Sequence, residues 1–469
     1  MSKRSSDEKR DRDSEVDDAK TIEDKAVRDS EKDAELDPEK GLKAGTDVDS
    51  VPNAPGEKLS KKYDTEAWMT LVGAWLIVFV GFGYMNAFGV YQDFYTREFL
   101  SNKTSSQISW IGSIQVFLLM GAGLFTGRLF DRGYFYHLIW AGSSLTVFSL
   151  FMLSLTKQGQ YYQVFLAHGV GLGIGSGLSF IPALAVLAQH FPDLHERAKM
   201  MMIVASGSSV GGLVHPIMLN HLFNDKLGFH NGVRVSAGMN TALLLLALLL
   251  LRAKYDHGRG RAPDLIPIHV ALEKFAKDYV YVLFVIGAMM VVCGLYCPLF
   301  YIQLDAVKRG LDSNFSFYTL SILNAASIFG RVVPGLYTRE VGITNLLLFV
   351  GAACGVLNLA MVAVKTVAGF TIFAILYGFF SGAYVSIMTP MMALLADHPS
   401  EIGVRIGIAF TIIGVGPLFG TPVDGALLSS NFTWWKPMVF SGIMCLAGTV
   451  IFFAGRIAFG RRKNAGWIL

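Results

Sequence analysis

Arg331 is the residue from which chemistry can first be read. It lies within the stretch Asn324–Gly342 (NAASIFGRVVPGLYTREVG), and no other Lys or Arg after residue 63 sits so deep in an apolar run. An arginine at the centre of a lipid-facing helix costs about 2.5–3.5 kcal/mol. Arg331 is therefore expected to face a bundle interior or a wet cavity, where it needs a partner or a ligand. Ala325, Ala326, Ser327 and Gly330 surround it, and such small residues let neighbouring helices approach closely. Pro334 frees a backbone carbonyl, which a membrane tolerates only where something else satisfies it. The stretch reads as one wall of a path for a polar molecule. The plainer reading ties the guanidinium to backbone carbonyls at a helix end.

Other polar residues fall inside apolar runs. Asp424, near one end of such a run, could carry a proton, because burial favours the neutral form of a carboxyl; the alternative is a helix-end residue touching water. His168 and His215 belong to the one side-chain type that ordinarily titrates near neutrality, or they are hydrogen-bonded packing residues. Asn86, Gln115 and Asn324 divide between cavity liners and helix–helix hydrogen bonds, worth about 0.6 kcal/mol each. Tyr296, Tyr301, Tyr377 and Tyr384 could stack a planar molecule or simply pack. The chain has no G-x-x-x-x-G-K-[ST] and no H-E-x-x-H, so neither a phosphate-cradling loop nor a zinc hydrolase motif is present. The four cysteines (Cys293, Cys297, Cys354, Cys445) all lie in apolar runs, so neither a disulfide framework nor a metal site is expected. No cofactor is implied, and nucleic acid is not needed to explain the basic residues.

The elements that must hold these residues are membrane helices. Of 469 residues, 52% are hydrophobic and 16% charged, against about 25% charged in a soluble domain. Residues 1–62 carry 14 Lys/Arg and 18 Asp/Glu, so this segment is expected to be a disordered tail. Beyond it, twelve runs reach the roughly 20 apolar residues a span requires: 67–92, 108–127, 136–156, 162–189, 199–222, 233–251, 279–303, 316–338, 344–364, 368–396, 404–427 and 435–459. An even number puts both ends on one side. With cytoplasmic ends, inside segments hold 16 Lys/Arg and outside segments 9, as the positive-inside rule requires. The sequons Asn102-Lys-Thr104, Asn314-Phe-Ser316 and Asn431-Phe-Thr433 then all face outside, where glycosylation is chemically allowed. The plasma membrane is the default location, with the vacuolar membrane as the other candidate.

The spans divide six and six. Gly127 and Gly335 are 208 residues apart, Ser176-Gly177 and Ser381-Gly382 205, Pro182 and Pro390 208, Pro216 and Pro422 206. A near-constant offset through four helices indicates two parallel six-helix halves, an architecture of transporters with a site between the repeats. The expected organisation is a tail 1–62, a bundle 63–251, a cytoplasmic linker 252–278, a bundle 279–459 and a tail 460–469. After the second span comes Gly127-Arg-Leu-Phe-Asp131-Arg132-Gly133, expected to close that helix at Gly127 and to bridge neighbouring helix ends through Asp131 and Arg132. The matching segment in the second half offers Arg339-Glu340.

That loop resembles the G-x-x-x-D-R-x-G gating motif of the major facilitator superfamily. The segments ISWIGSIQVFLL (108–119), ASGSSVGGLVHPIMLNHL (205–222), NAASIFGRVVPG (324–335), YGFFSGAYVSIMTP (377–390) and GTPVDGALL (420–428) are similar to the fungal branch of its monocarboxylate transporter family. The resemblance covers nearly the whole membrane part. It implies an all-α membrane fold of twelve helices in two halves, and secondary transport of a small organic molecule. It also implies that Arg331 pairs a substrate carboxylate and places Ser327 and Asn86 at site positions; Asn324 and Tyr384 join them as substrate-site candidates from their residue types alone. The chain departs from the family pattern at several places. Ser327 stands where animal members have Asp, and Asn86 where they have Lys. Glu66-Ala67-Trp68 replaces acidic-Gly-Gly-Trp, and Arg339-Glu340 replaces Asp-Arg. The expected activity is proton-coupled transport of a monocarboxylate-like anion. The alternatives are efflux of a fungal secondary metabolite, and a non-transporting sensor with residues 1–62 as its signalling arm. The expected partners are the substrate, the lipid bilayer and protons.

Overall fold

The computed structural model describes residues 63–192, 194–224, 227–254, 268–396, 402–428 and 432–463. The tail 1–62, most of the linker and Asn431 lie outside the described residues. Within them all regular structure is helical, with no strand. Twelve helices are long and apolar enough to cross a membrane. These are α1 Thr65–Phe99, α2 Ser105–Phe130, α3 Phe135–Leu153, α4 Tyr161–His190, α5 Lys199–Phe223, α6 Gly228–Leu250, α7 Tyr279–Lys308, α8 Asn314–Leu336, α9 Ile343–Ala363, α10 Val367–Leu394, α11 Val404–Leu428 and α12 Trp435–Arg462. Most connections are short, so successive helices alternate direction. The face where α1 starts is called the N-face, and the opposite one the far face.

α1 packs on α4, α5 and α6, and α7 packs on α11 and α12. The first six helices meet the last six along α2–α11, along α5–α8, and where the far end of α1 meets α7. Without a hydrophobic drive between helices in lipid, close packing needs small residues. A Cβ on Gly83 would lie 2.7 Å from the Gly211 Cα, and one on Gly330 2.0 Å from the Phe379 carbonyl oxygen. The residues of α8 sort by face. Phe329, Val332 and Leu336 point outward, whereas Asn324, Ser327 and Arg331 are buried. The buried three share one face at helical spacing.

Three features differ from the sequence expectation. First, α1 and α7 run past their apolar limits, because Asp93 pairs with Arg97 (2.7 Å) and Asp305 with Arg309 (2.6 Å) one turn on. An i,i+4 ion pair on the same helix lets charge continue a span. Second, Gly127 does not close α2. The helix continues to Asp131, and Gly133, at φ +90°, makes the turn. Third, part of the expected linker is helical: Ile268–Lys277 turns Ala271 and Phe275 inward and leaves Val270 and Leu272 exposed.

That short helix leads into a charged clamp at the N-face. Asp278 caps α7 through the Tyr281 N–H (3.3 Å) and accepts from Arg405 of α11 (3.0 Å) and Arg462 of α12 (3.2 Å). Arg405 also donates to the Leu395 carbonyl (2.5 Å), and its guanidinium lies 4.5 Å from the Phe275 ring centroid. Arg331 is thus not the only deeply held cation. Arg405, placed at a loop edge by its sequence position, is more completely buried. Burial pushes the Asp278 carboxyl up, but its hydrogen bonds from Tyr281, Arg462 and Arg405 outweigh that and hold it below the usual carboxylate range.

Candidate functional site

A cavity of about 20 Å³ lies between α1, α7, α8 and α10, room for a single water. Asn86, Tyr296, Asn324, Ser327, Arg331 and Ser381 supply its polar lining, and Phe82, Leu295, Leu299, Leu323 and Val385 its apolar walls. α8 supplies three of the polar groups because residues 324, 327 and 331 project from one face. α5 backs them. Arg331 Nη1 donates to the Ala205 carbonyl (3.3 Å), and Asn86 Nδ2 donates to the Ser208 carbonyl (3.3 Å). Ser327 Oγ lies 2.8 Å from Ser209 Oγ and 2.7 Å from the Asn324 carbonyl. A Cβ on Gly212 would stand 2.4 Å from Asn324 Oδ1, so only glycine lets α5 approach there.

Arg331 is 5% exposed, and its Nε has no hydrogen-bond partner among the described residues. The carboxylates buried among the described residues are engaged elsewhere: Asp93 with Arg97, Asp305 with Arg309, and Asp424 with the Ser441 hydroxyl (2.8 Å). The cavity therefore presents a fixed positive group, two amides and three hydroxyls against apolar walls. Such a surface favours an anionic or strongly accepting group attached to an apolar body. Water is largely excluded, so the charge acts through a lower effective dielectric than in solution.

The structure brings Arg331, Asn86, Asn324 and Ser327 together and leaves Tyr384 out. Tyr384 is fully buried against other helices, its hydroxyl 3.4 Å from the Ala288 carbonyl. Tyr296 is the tyrosine on the cavity. Its one-turn spacing from Leu299 and Phe300 gave no means of choosing it over the other tyrosines. Asp424 is not at a wet helix end. It is fully buried among α7, α11 and α12, beside the Cys297 thiol as well as the Ser441 hydroxyl.

His168 and His215 also stand off the cavity, inside an aromatic cluster of the first six helices. His168 Nδ1 meets the Tyr95 hydroxyl (3.1 Å), and its ring lies 4.4 Å from that of Tyr91. His215 is held between the rings of Phe79 (4.9 Å) and Tyr84 (5.0 Å). Of the loop residues, Gly127 faces open space, Arg132 and Glu340 are exposed, and the side chains of Asp131 and Arg339 lie outside what the structure describes. Asn102 and Asn314 are exposed at the far face.

Residues 70–398 match the family model described as Major Facilitator Superfamily. The chain is 38% identical over 411 residues to the aspyridones efflux protein of Emericella nidulans, covering 88% of this chain and 80% of that one. It is 36% identical over 413 residues to the agnestins efflux protein of Paecilomyces divaricatus, covering 88% and 92%. To the fujikurins efflux protein of Gibberella fujikuroi it is 34% identical over 402 residues, covering 85% and 84%. The chain therefore belongs to the Major Facilitator Superfamily and is a multi-pass membrane transporter of small molecules.

Proposed function

We propose that this transporter exports a small, acidic, partly apolar metabolite by alternating access, with Arg331 holding the acidic group. The observation that carries the reading is the buried Arg331 guanidinium, which faces a cavity and has no carboxylate partner among the described residues. The three relatives named as efflux proteins support export over uptake. Simple monocarboxylate uptake is the narrower reading, supported by the resemblance around Arg331 and weakened by Ser327 and Asn86 at the positions that depart from that family. In this proposal bundles 63–251 and 279–459 rock about the cavity, joined by linker 252–278. Both termini are cytosolic and the far face is outside, by the bias of Lys/Arg. Protons drive the cycle, with the buried Asp424 carboxyl as the carrier.

The test is metabolite profiling of cells lacking the gene and complemented with variants, inside the cells and in the medium. Arg331→Ala should cause retention like the deletion, with export down about a hundredfold, the equivalent of roughly 3 kcal/mol for an unpaired buried charge contact. Arg331→Lys should recover part of it, because an ammonium keeps the charge and loses the planar fork. Export that persists in Arg331→Ala at normal membrane abundance removes the residue from the site. In the same assay, collapsing the proton gradient should stop export; unchanged export removes the coupling.

A further inference from the structure

On the far side of the cavity, α1 and α7 touch backbone to backbone. A Cβ on Gly89 would lie 2.5 Å from the Leu299 carbonyl oxygen, and the Phe88 and Phe300 rings meet at a tilt of 50° with centroids 4.8 Å apart. Just beyond, Gln303 of α7 donates to the buried Asp93 carboxylate of α1 (3.1 Å). The same amide exchanges hydrogen bonds with Asn220 of α5, at 3.0 and 3.4 Å. Asn220 in turn donates to the Phe317 carbonyl of α8 (3.0 Å). Four helices, two from each set of six, thus meet in one buried hydrogen-bonded chain between the cavity and the far face.

The strong charges in this chain are settled within their own helices. Asp93 accepts twice from Arg97, at 2.7 and 2.8 Å, and Asp305 pairs with Arg309 one turn further along α7. Parting α1 from α7 therefore leaves no bare carboxylate, and only the amide bonds must exchange for water. A direct carboxylate–guanidinium bridge between the helices would leave two unpaired charges on opening, a far larger penalty. Amide hydrogen bonds exchanged for water have a small net worth. The geometry suits a closure that is specific yet easily released.

We propose that Asp93, Gln303 and Asn220 form the latch that closes the cavity toward the far face, and that its release is the opening step there. The proposal rests on the alternating-access reading, but its test needs no substrate. Leu299→Cys places a thiol on the cavity, and a membrane-impermeant maleimide is applied to each face separately in sealed vesicles of known orientation. Gln303→Ala in that background should raise far-face labelling on the order of tenfold, the factor lost with one or two hydrogen bonds, and lower N-face labelling. Asn220→Ala, which leaves the Asp93–Gln303 bond in place, should give a smaller shift of the same sign. It also keeps the test intact where Gln303→Ala fails to fold, as judged by gel filtration. Unchanged far-face labelling in the folded variants overturns the latch. So does faster labelling from both faces, which marks loosened packing instead of a shifted equilibrium.

Discussion

The Arg331 and Asp278 sites show how one residue type serves two ends. Both sites hold arginine away from lipid. At the cavity, the α8 guanidinium meets a backbone carbonyl and no carboxylate among the described residues, whereas at the N-face Arg405 and Arg462 converge on one carboxylate. The first can accept a ligand, and the second is a closed structural contact. Removing Asp278 strands a buried arginine, so Asp278→Ala should destabilise the transporter by about 3 kcal/mol. Asp278→Asn, which keeps an acceptor for Tyr281 and the arginines, should lose less. The folded carboxyl is held below its ordinary value, so its contribution is complete above the unfolded carboxylate pKa, about 3.9. That contribution fades as pH falls through the lower folded value. An apparent Tm in detergent should drop for the native chain below about pH 4 and change less for Asp278→Ala. Equal acid sensitivity in both would exclude the clamp as its source.

At the level of helices, the sequence carried more of the fold than of the site. Apolar run length and charge placement located all twelve spans, because lipid imposes both locally. The extensions of α1 and α7 escaped, since run length stops at a charge while Asp93–Arg97 and Asp305–Arg309 neutralise theirs within a turn. Arg331 stood out as a lone charge, Asn86 and Asn324 as polar residues in apolar runs, and Ser327 through the family resemblance. Tyr296 and the Asp93–Gln303–Asn220 chain did not, because contacts between helices distant in sequence leave no spacing to read. Glycine shows the same divide. Gly378 meets the Leu323 carbonyl, where a Cβ would lie 2.0 Å from the oxygen, and Gly127 meets nothing within 4 Å. Gly378→Ala should force α8 and α10 apart and deplete folded protein at the membrane. Gly127→Ala should leave folding intact and favour the helix by up to about 1 kcal/mol. Gel-filtration yield separates the two, and equal yields would mean that the α8–α10 contact yields readily.

For the whole molecule, the seams between the two sets of six differ in length. α2 and α11 stay together along most of their run. Ser106 donates to the Pro422 carbonyl (2.8 Å) toward the far face, and Thr411 reaches the Gly121 carbonyl (3.4 Å) toward the N-face. Between them the hydroxyls of Ser113 and Thr421 meet. α1 and α7, by contrast, meet at their far ends. Two bodies that rock about a central cavity move least near mid-height and most at the faces. Ser113 lies eight residues into α2, about 12 Å along its axis, close to the middle of a hydrocarbon core about 30 Å thick. A disulfide between Ser113→Cys and Thr421→Cys should therefore leave export within about twofold of the reduced protein, provided the motion is the rocking of repeats. The measurement is export with and without reductant in the double variant, against each single variant. If the oxidised pair blocks export and reductant restores it, α2 and α11 must slide or part at mid-height, and rigid rocking gives way to bending within the helices. The prolines inside α11, Pro417 and Pro422, lie where such a bend would form.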